Sequence, residues 1–309
     1  MFHFLLPLML GMASLADGLE PIQALQSYSR LITSGAGHVS YHSVWDELGL
    51  RKMAEAQRLA IQSGERVIFP VDVHDQLFIA FKKDKLRWEL VDTTQRSGTT
   101  YITDWRGVLV NGRWKAVDYS RELGEVVRGI GYTKDPNVGP FNPSLDIRPS
   151  SLAAGIAEPL IELLQGNSEL WGQLTVQRLG SETVDGLSCE RFRLSNDRVI
   201  INVWLSKEHG YLPIRIENLY VVNANRHVFR YTYRSYGEGL WFVSRIDIQN
   251  ICSFDGKEGL FSHQMIKVED DFRINIELPD DIFQIKFYKG QEVRVWQGRT
   301  YKVIRWGQE

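Results

Sequence analysis

The chain has only two cysteines, Cys189 and Cys252, among 309 residues, which excludes a disulfide scaffold and a cysteine-based metal site. It has no surplus of charge either. Its 36 Lys and Arg stand against 38 Asp and Glu, so nothing electrostatic draws it to nucleic acid or to an anionic surface. With 26 Gly and 10 Pro it is neither collagen-like nor low in complexity. No stretch supplies the ~20 apolar residues of a membrane-spanning helix. Catalytic signatures are also missing. There is no Gly-x-Ser-x-Gly, and Ser34-Gly35 and Ser97-Gly98 read as ordinary turns. Gly129-Ile130-Gly131 lacks the rest of a phosphate loop. Asp270-Asp271 and Asp280-Asp281 are adjacent pairs, which strand geometry sends to opposite faces, so they read as turn and edge residues. His38 and His42 share a strand face with Asp46 as the one further ligand on offer, and scattered histidines explain them better than a metal site. No catalytic residue, metal or cofactor is expected.

What the chain does have is apolar and aromatic mass. Hydrophobic residues make up 43%, with 9 Trp, 12 Tyr and 14 Phe, which is too apolar for disorder. Phe2–Met12 is a short apolar run followed by Ala13-Ser14-Leu15-Ala16, the pattern of a secretory signal with cleavage after Ala16, despite an n-region without Lys or Arg. The alternative is a buried N-terminal helix. Export would permit a disulfide, but Cys189 and Cys252 fall on strands four apart in a simple meander. At about 4.8 Å per strand that is roughly 19 Å, so two buried thiols are favoured.

Along the chain, Asp17–Ser34 reads as a helix stopped by Gly35-Ala36-Gly37, and His38–Glu47 as a strand. Leu50–Gln62 is a second helix. From Glu65 the period becomes two. Arg66–Phe81 reads as strand, Lys82-Lys83-Asp84-Lys85 as a turn, and Leu86-Arg87-Trp88-Glu89-Leu90 as a clean alternating strand. Asn111-Gly112 marks a hairpin. Tyr132–Ser151 carries four prolines in loop composition, and Leu152–Gln165 follows as a short helical piece, either a plug or a movable cover. From Thr175 short strands succeed one another across Gly-, Asn- and Asp-rich turns, and Ile285–Trp306 ends the chain as a hairpin. The expected class is α+β: a large curved antiparallel sheet of about eleven strands, an incomplete β-barrel with helices on its concave side. The expected organisation is a signal peptide over 1–16, one domain over 17–287 with a helical lid near 150–166, and a C-terminal hairpin extension over 288–309.

The strands have unequal faces. Val199, Ile201, Val203 and Leu205 alternate with Ile200, Asn202, Trp204 and Ser206. Leu212, Ile214 and Ile216 alternate with Pro213, Arg215 and Glu217. Phe229 and Tyr231 continue the apolar face on the next strand, and Ile246 and Ile248 on the one after. That face either packs on the helices as a core or, where a curved sheet exceeds what short helices fill, leaves a cavity for an apolar ligand.

The order of several motifs resembles the LolA/LolB-type lipoprotein carriers. They are Lys82-Lys83-Asp84-Lys85-Leu86-Arg87-Trp88-Glu89, then Val184-Asp185-Gly186 ahead of Cys189, Val203-Trp204-Leu205-Ser206, Gly210-Tyr211-Leu212-Pro213-Ile214-Arg215, and finally Leu278-Pro279-Asp280-Asp281-Ile282-Phe283. The chain departs from those carriers in its length, in Lys82-Lys83 and in the added Leu50–Gln62 helix. The resemblance implies a helix-lidded half-barrel that holds the acyl chains of a lipid or lipoprotein in the periplasm. Its apolar wall would be Leu86, Trp88, Leu90, Val203, Ile214, Ile216, Phe229, Tyr231, Ile246 and Ile248, and its lid Leu152, Ile156, Leu160 and Leu163. An envelope receptor is the expected partner, and the expected state is a monomer. The alternative is an envelope interaction or stress-sensing module of the same fold, with a filled interior and a protein partner.

Overall fold

The structure is a computed structural model describing residues 21–62, 72–96, 99–110, 113–118, 121–122, 125–126, 130–133, 146–149, 159–237, 239–254, 257–287, 289–290, 292–297 and 300–307. The expected signal segment, the Asn111-Gly112 turn and the lid residues Leu152 and Ile156 lie outside the described residues. In chain order come helix α1 (Pro21–Ser29), β1 (Ser34–Trp45), α2 (Glu47–Gln62), β2 (Asp72–Lys82), β3 (Lys85–Arg96), β4 (Thr99–Val110) and β5 (Arg113–Asp118). Next are the two-residue β6 (Arg121–Glu122) and β7 (Glu125–Val126), then β8 (Ile130–Thr133) and α3 (Leu160–Leu164). A long run follows: β9 (Thr175–Val184), β10 (Leu187–Ser195), β11 (Val199–Ser206), β12 (Leu212–Tyr220), β13 (Arg226–Ser235), β14 (Trp241–Phe254) and β15 (Lys257–Val268). After β16 (Arg273–Ile274) and a 3-10 turn at Asp280–Phe283, the chain closes with β17 (Glu292–Gln297) and β18 (Thr300–Arg305). The class is the one expected: α+β, mostly antiparallel sheet with few helices.

The chain divides into two compact units. One, here the meander unit, comprises Met1–Leu31, Tyr41–His74 and Ile147–Lys267; the other, the strap unit, comprises Ile32–Ser40, Asp75–Asp146 and Val268–Glu309.

In the meander unit β9 to β15 pair antiparallel in chain order. The second half of β1 joins β15, where the Asp46 N–H donates to the Phe261 carbonyl at 3.1 Å. Short turns between alternating strands give this topology, because each strand's apolar face is buried only if the next returns beside it in register. Helix α1 buries Ala24, Leu25 and Tyr28, three or four residues apart, on one side. It is tied down by the Tyr28 hydroxyl, which donates to the Trp241 carbonyl at 2.8 Å and accepts the Trp241 N–H. Burial of that phenol pushes its pKa up to about 12. Helix α3 packs on α1 and β10 through buried Leu160, Leu163 and Leu164.

In the strap unit β2, β3, β4, β5 and β8 pair antiparallel in that order, and β8 then runs parallel to β17, which forms a hairpin with β18. The first half of β1 pairs with β16. The expected helix over Asp17–Ser34 stops sooner than its composition suggested, and Gly35-Ala36-Gly37 is no helix stop: all three residues lie within β1. The reason is tertiary. A Cβ on Gly37, whose φ is +155°, would stand 2.4 Å from the Phe272 Cα, so β1 comes this close to the chain beside it only as glycine. The terminal hairpin is likewise shorter than expected. Residues Ile285–Phe287 are not strand but the end of a strap, residues 276–287, that crosses one face of the sheet.

Candidate functional site

Register shows what shares a face. In the meander unit Phe192, Val203, Ile216, Phe229 and Ile248 form one cross-strand row, and Tyr231 and Ile246 pair in the next. Six of the expected wall residues are therefore neighbours on one face, each at most 7% exposed, and they form packed interior. Ile214 is separated from them. β12 carries an extra residue opposite Trp204/Leu205, and Ile214 packs instead with Cys189 and Trp204. Trp204 lies on the opposite face, with the Arg191 and Arg215 guanidinium carbons 4.9 and 5.2 Å from its ring centroid.

In the strap unit Leu86, Trp88 and Leu90 sit on the face carrying Phe81, Ile79 and Leu77. Leu86 and Trp88 are buried and Leu90 is half-buried. Gly107, in register with Trp88, makes room for its indole: a Cβ there would be 2.3 Å from the ring. The other face presents the row Ala80, Arg87, Val108 and Lys115, and the strap runs across it.

The strap is held at its start by polar contacts. Lys82 Nζ donates to the Leu278 carbonyl at 2.8 Å and to Asp280 Oδ1 at 3.0 Å, and Lys85 Nζ reaches the same oxygen at 3.1 Å. These two ammonium groups hold the Asp280 carboxyl below its usual range. Arg87, paired with Glu89, donates to the Ile282 carbonyl at 2.5 Å. Apolar contacts follow the same course. Leu278 and Phe283 pack on Ala80, and further along Ile285 and Phe287 pack with Val117, Val293 and Trp306.

Beside the strap lies a cleft of about 700 Å³, within the range that holds a small ligand. Val108, Val110, Phe283, Ile285, Phe287 and Trp306 form its apolar wall, and Lys115, Gln284 and Lys286 its polar groups. The rings of Phe287 and Trp306 meet edge to face at 5.0 Å, and Lys115 Nζ stands 5.9 Å from the Phe287 centroid. None of the residues expected to line a cavity lines this one. Its residues were legible only as period-two alternation through Phe283, Ile285 and Phe287. A second, polar recess of about 260 Å³ lies on the meander unit among Val228, Arg230, Arg245, Asp247, Gln249 and His263.

The remaining candidate chemistry resolves into local structure. His38 Nδ1 lies 2.6 Å from Asp271 Oδ2, while His42 stacks on His74 at 3.8 Å. Among the described residues no three His, Cys, Asp or Glu side chains gather as a metal site. Ser206 Oγ and His209 Nδ1 are 2.9 Å apart, but this serine is fully buried at the end of β11, with no surface through which a substrate would reach it. Glu190 is buried against the side chains of Arg178 (3.0 Å), Lys207 (2.9 Å) and Ser181. Burial alone would raise its pKa, and the hydrogen bonds from Ser181, Arg178 and Lys207 outweigh that and hold it at about 2. Cys189 is buried, Cys252 is half-buried, and both are free thiols. Among the described residues no helix is long and apolar enough to cross a membrane.

The fold is thus that of an α+β protein built on antiparallel sheet, with an apolar cleft on one unit. A model of a domain of unknown function, DUF4412, matches residues 166–212. None of the curated protein sequences matches the chain. Among solved structures the chain is similar to a DUF1329 family protein from Desulfovibrio piger, with 12% identity and a TM-score of 0.45, over 86% of this chain and 98% of that one. It is also similar to a LolA superfamily protein from Nitrosomonas europaea, with 11% identity, a TM-score of 0.43 and coverage of 87% and 99%. The Mycobacterium tuberculosis lipoprotein LppX follows at 12% identity, a TM-score of 0.27 and coverage of 84% and 95%.

Proposed function

We propose that the protein is an exported, non-enzymatic binder of lipid-like ligands, acting as a monomer in the periplasm and passing an acyl chain on to an envelope receptor. The observation that carries this reading is the cleft beside the strap, with its wall of Val108, Val110, Phe283, Ile285, Phe287 and Trp306. Burying about ten methylenes there at ~0.8 kcal/mol each yields roughly 8 kcal/mol before the costs of association. Such affinity suits exchange rather than permanent capture.

A second reading is an interaction module with a filled interior and a protein partner. The near-zero exposure of Val203 and Ile216 favours it for the meander unit. Titration with a fluorescent fatty acid separates the two. The binder reading expects saturable uptake that Phe287→Asp abolishes while the protein still melts cooperatively. Absence of uptake by the intact protein leaves the interaction module.

A further inference from the structure

We infer that the cleft beside the strap takes an anionic amphiphile, a single hydrocarbon chain ending in a carboxylate or phosphate, with the ammonium groups of Lys115 and Lys286 as the partners of its head. The inference rests on the binder reading above and adds the charge of the ligand.

The charge pattern around the strap carries it. Three cations along the start of the strap are matched within the protein: Lys82 and Lys85 share Asp280, and Arg87 has Glu89. At the cleft the pattern breaks. Among the described residues two lysines line it and no carboxylate does. Lys115 projects from β5, where its register neighbours are Val108 and Tyr132. Among the described residues its ammonium faces only the Phe287 ring, at 5.9 Å from the centroid, which leaves its three N–H donors for another group. Lys286 comes from the strap itself, between two residues that pack apolar side chains. Among the described residues neither lysine makes an ion pair.

A neutral chain filling this cleft would strip water from the half-buried Lys115 and give nothing in return, which is unfavourable, while Lys286 at the exposed edge keeps its water. A chain ending in an anion returns a charge-assisted hydrogen bond to each. The apolar wall then selects the chain and the lysines select the head. Inorganic phosphate has the head chemistry without the chain, and a fatty-acid methyl ester has the chain without the charge.

The test compares three probes on the full chain: a fluorescent long-chain fatty acid, its methyl ester, and inorganic phosphate as competitor. The acid should bind about tenfold more tightly than the ester at low salt, a gap that narrows as salt rises. Lys115→Met and Lys286→Met should each weaken the acid about threefold to fivefold and leave the ester unchanged, and Lys115→Arg should restore acid binding. Melting curves of every variant confirm folding. Equal binding of acid and ester overturns the anionic head while the binder reading stands. Binding of neither overturns both. Displacement of the acid by inorganic phosphate at equal concentration would make the site one for a free anion, and the amphiphile would fall.

Discussion

The meander unit and the strap unit are built on the same alternation of apolar and polar residues, yet they cover their apolar faces by different means. In the meander unit Val203, Ile216, Phe229 and Ile248 meet in one row and are closed over to 3% exposure or less. In the strap unit the face bearing Val108 and Lys115 is crossed by one irregular segment, residues 276–287. An extended segment turns only alternate side chains toward a sheet, so a lone strap fills part of what a helix or a second sheet would fill. The remainder is the cleft. Alternation establishes that a face is apolar; what lies across it decides whether that face becomes core or site.

That contrast is open to attack from both sides. The largest effect is expected in the packed row. Phe229→Ala should cost about 3–5 kcal/mol in denaturant unfolding, as a cavity in a closed core does. A loss below about 1 kcal/mol would mean the row is loose enough to admit a ligand.

Next is the buried ion cluster between β9 and β10. Glu190→Gln leaves the partly exposed Arg178 and Lys207 without their carboxylate and should cost about 2 kcal/mol at neutral pH. Its pH dependence follows from a folded pKa of about 2 against an ordinary 4.5. The contribution is whole above the ordinary value and is lost as pH falls from there toward 2. Stability of the wild type should therefore fall more steeply than that of Glu190→Gln across that acid window. Parallel curves would remove the cluster from the account.

Tyr28→Phe removes the hydroxyl that bridges α1 to Trp241 and should cost about 1 kcal/mol, with faster amide exchange in α1. The smallest effect on stability belongs to the cleft. Phe287→Ala, at a half-buried ring, should cost about 1 kcal/mol while weakening fatty-acid binding at least tenfold. If it proves as destabilising as Phe229→Ala with binding intact, the strap is core after all.

Much of the meander was legible in the sequence. Turns at Asp185-Gly186 and Gly210 and the alternation through Val203 and Phe229 give strands and faces, because these signals are local. Ile214 was misplaced among them, since a bulge moves one residue off its face without leaving a mark in the alternation. Gly35 and Gly37 read as a helix stop because glycine there answers to Phe272, more than 230 residues away. The cleft is a harder case. Lys115 alternates with Ala116 and Trp114 as any solvent-face lysine does, and only the arrival of Phe287 and Trp306 from the chain's far end makes it part of a wall. Leu86 and Trp88, expected on a cavity wall, are buried on one side of the sheet, and the side that carries the cleft is the other one.

The most direct trial of the cleft is photo-crosslinking. A fatty acid carrying a diazirine on its chain is bound to the intact protein, irradiated, and the labelled peptides are read by mass spectrometry. The account predicts label on Phe283–Phe287 and on the Val108–Val110 end of β4. Label on the strands bearing Val203 and Phe229, or label that an excess of unlabelled fatty acid fails to suppress, would contradict it.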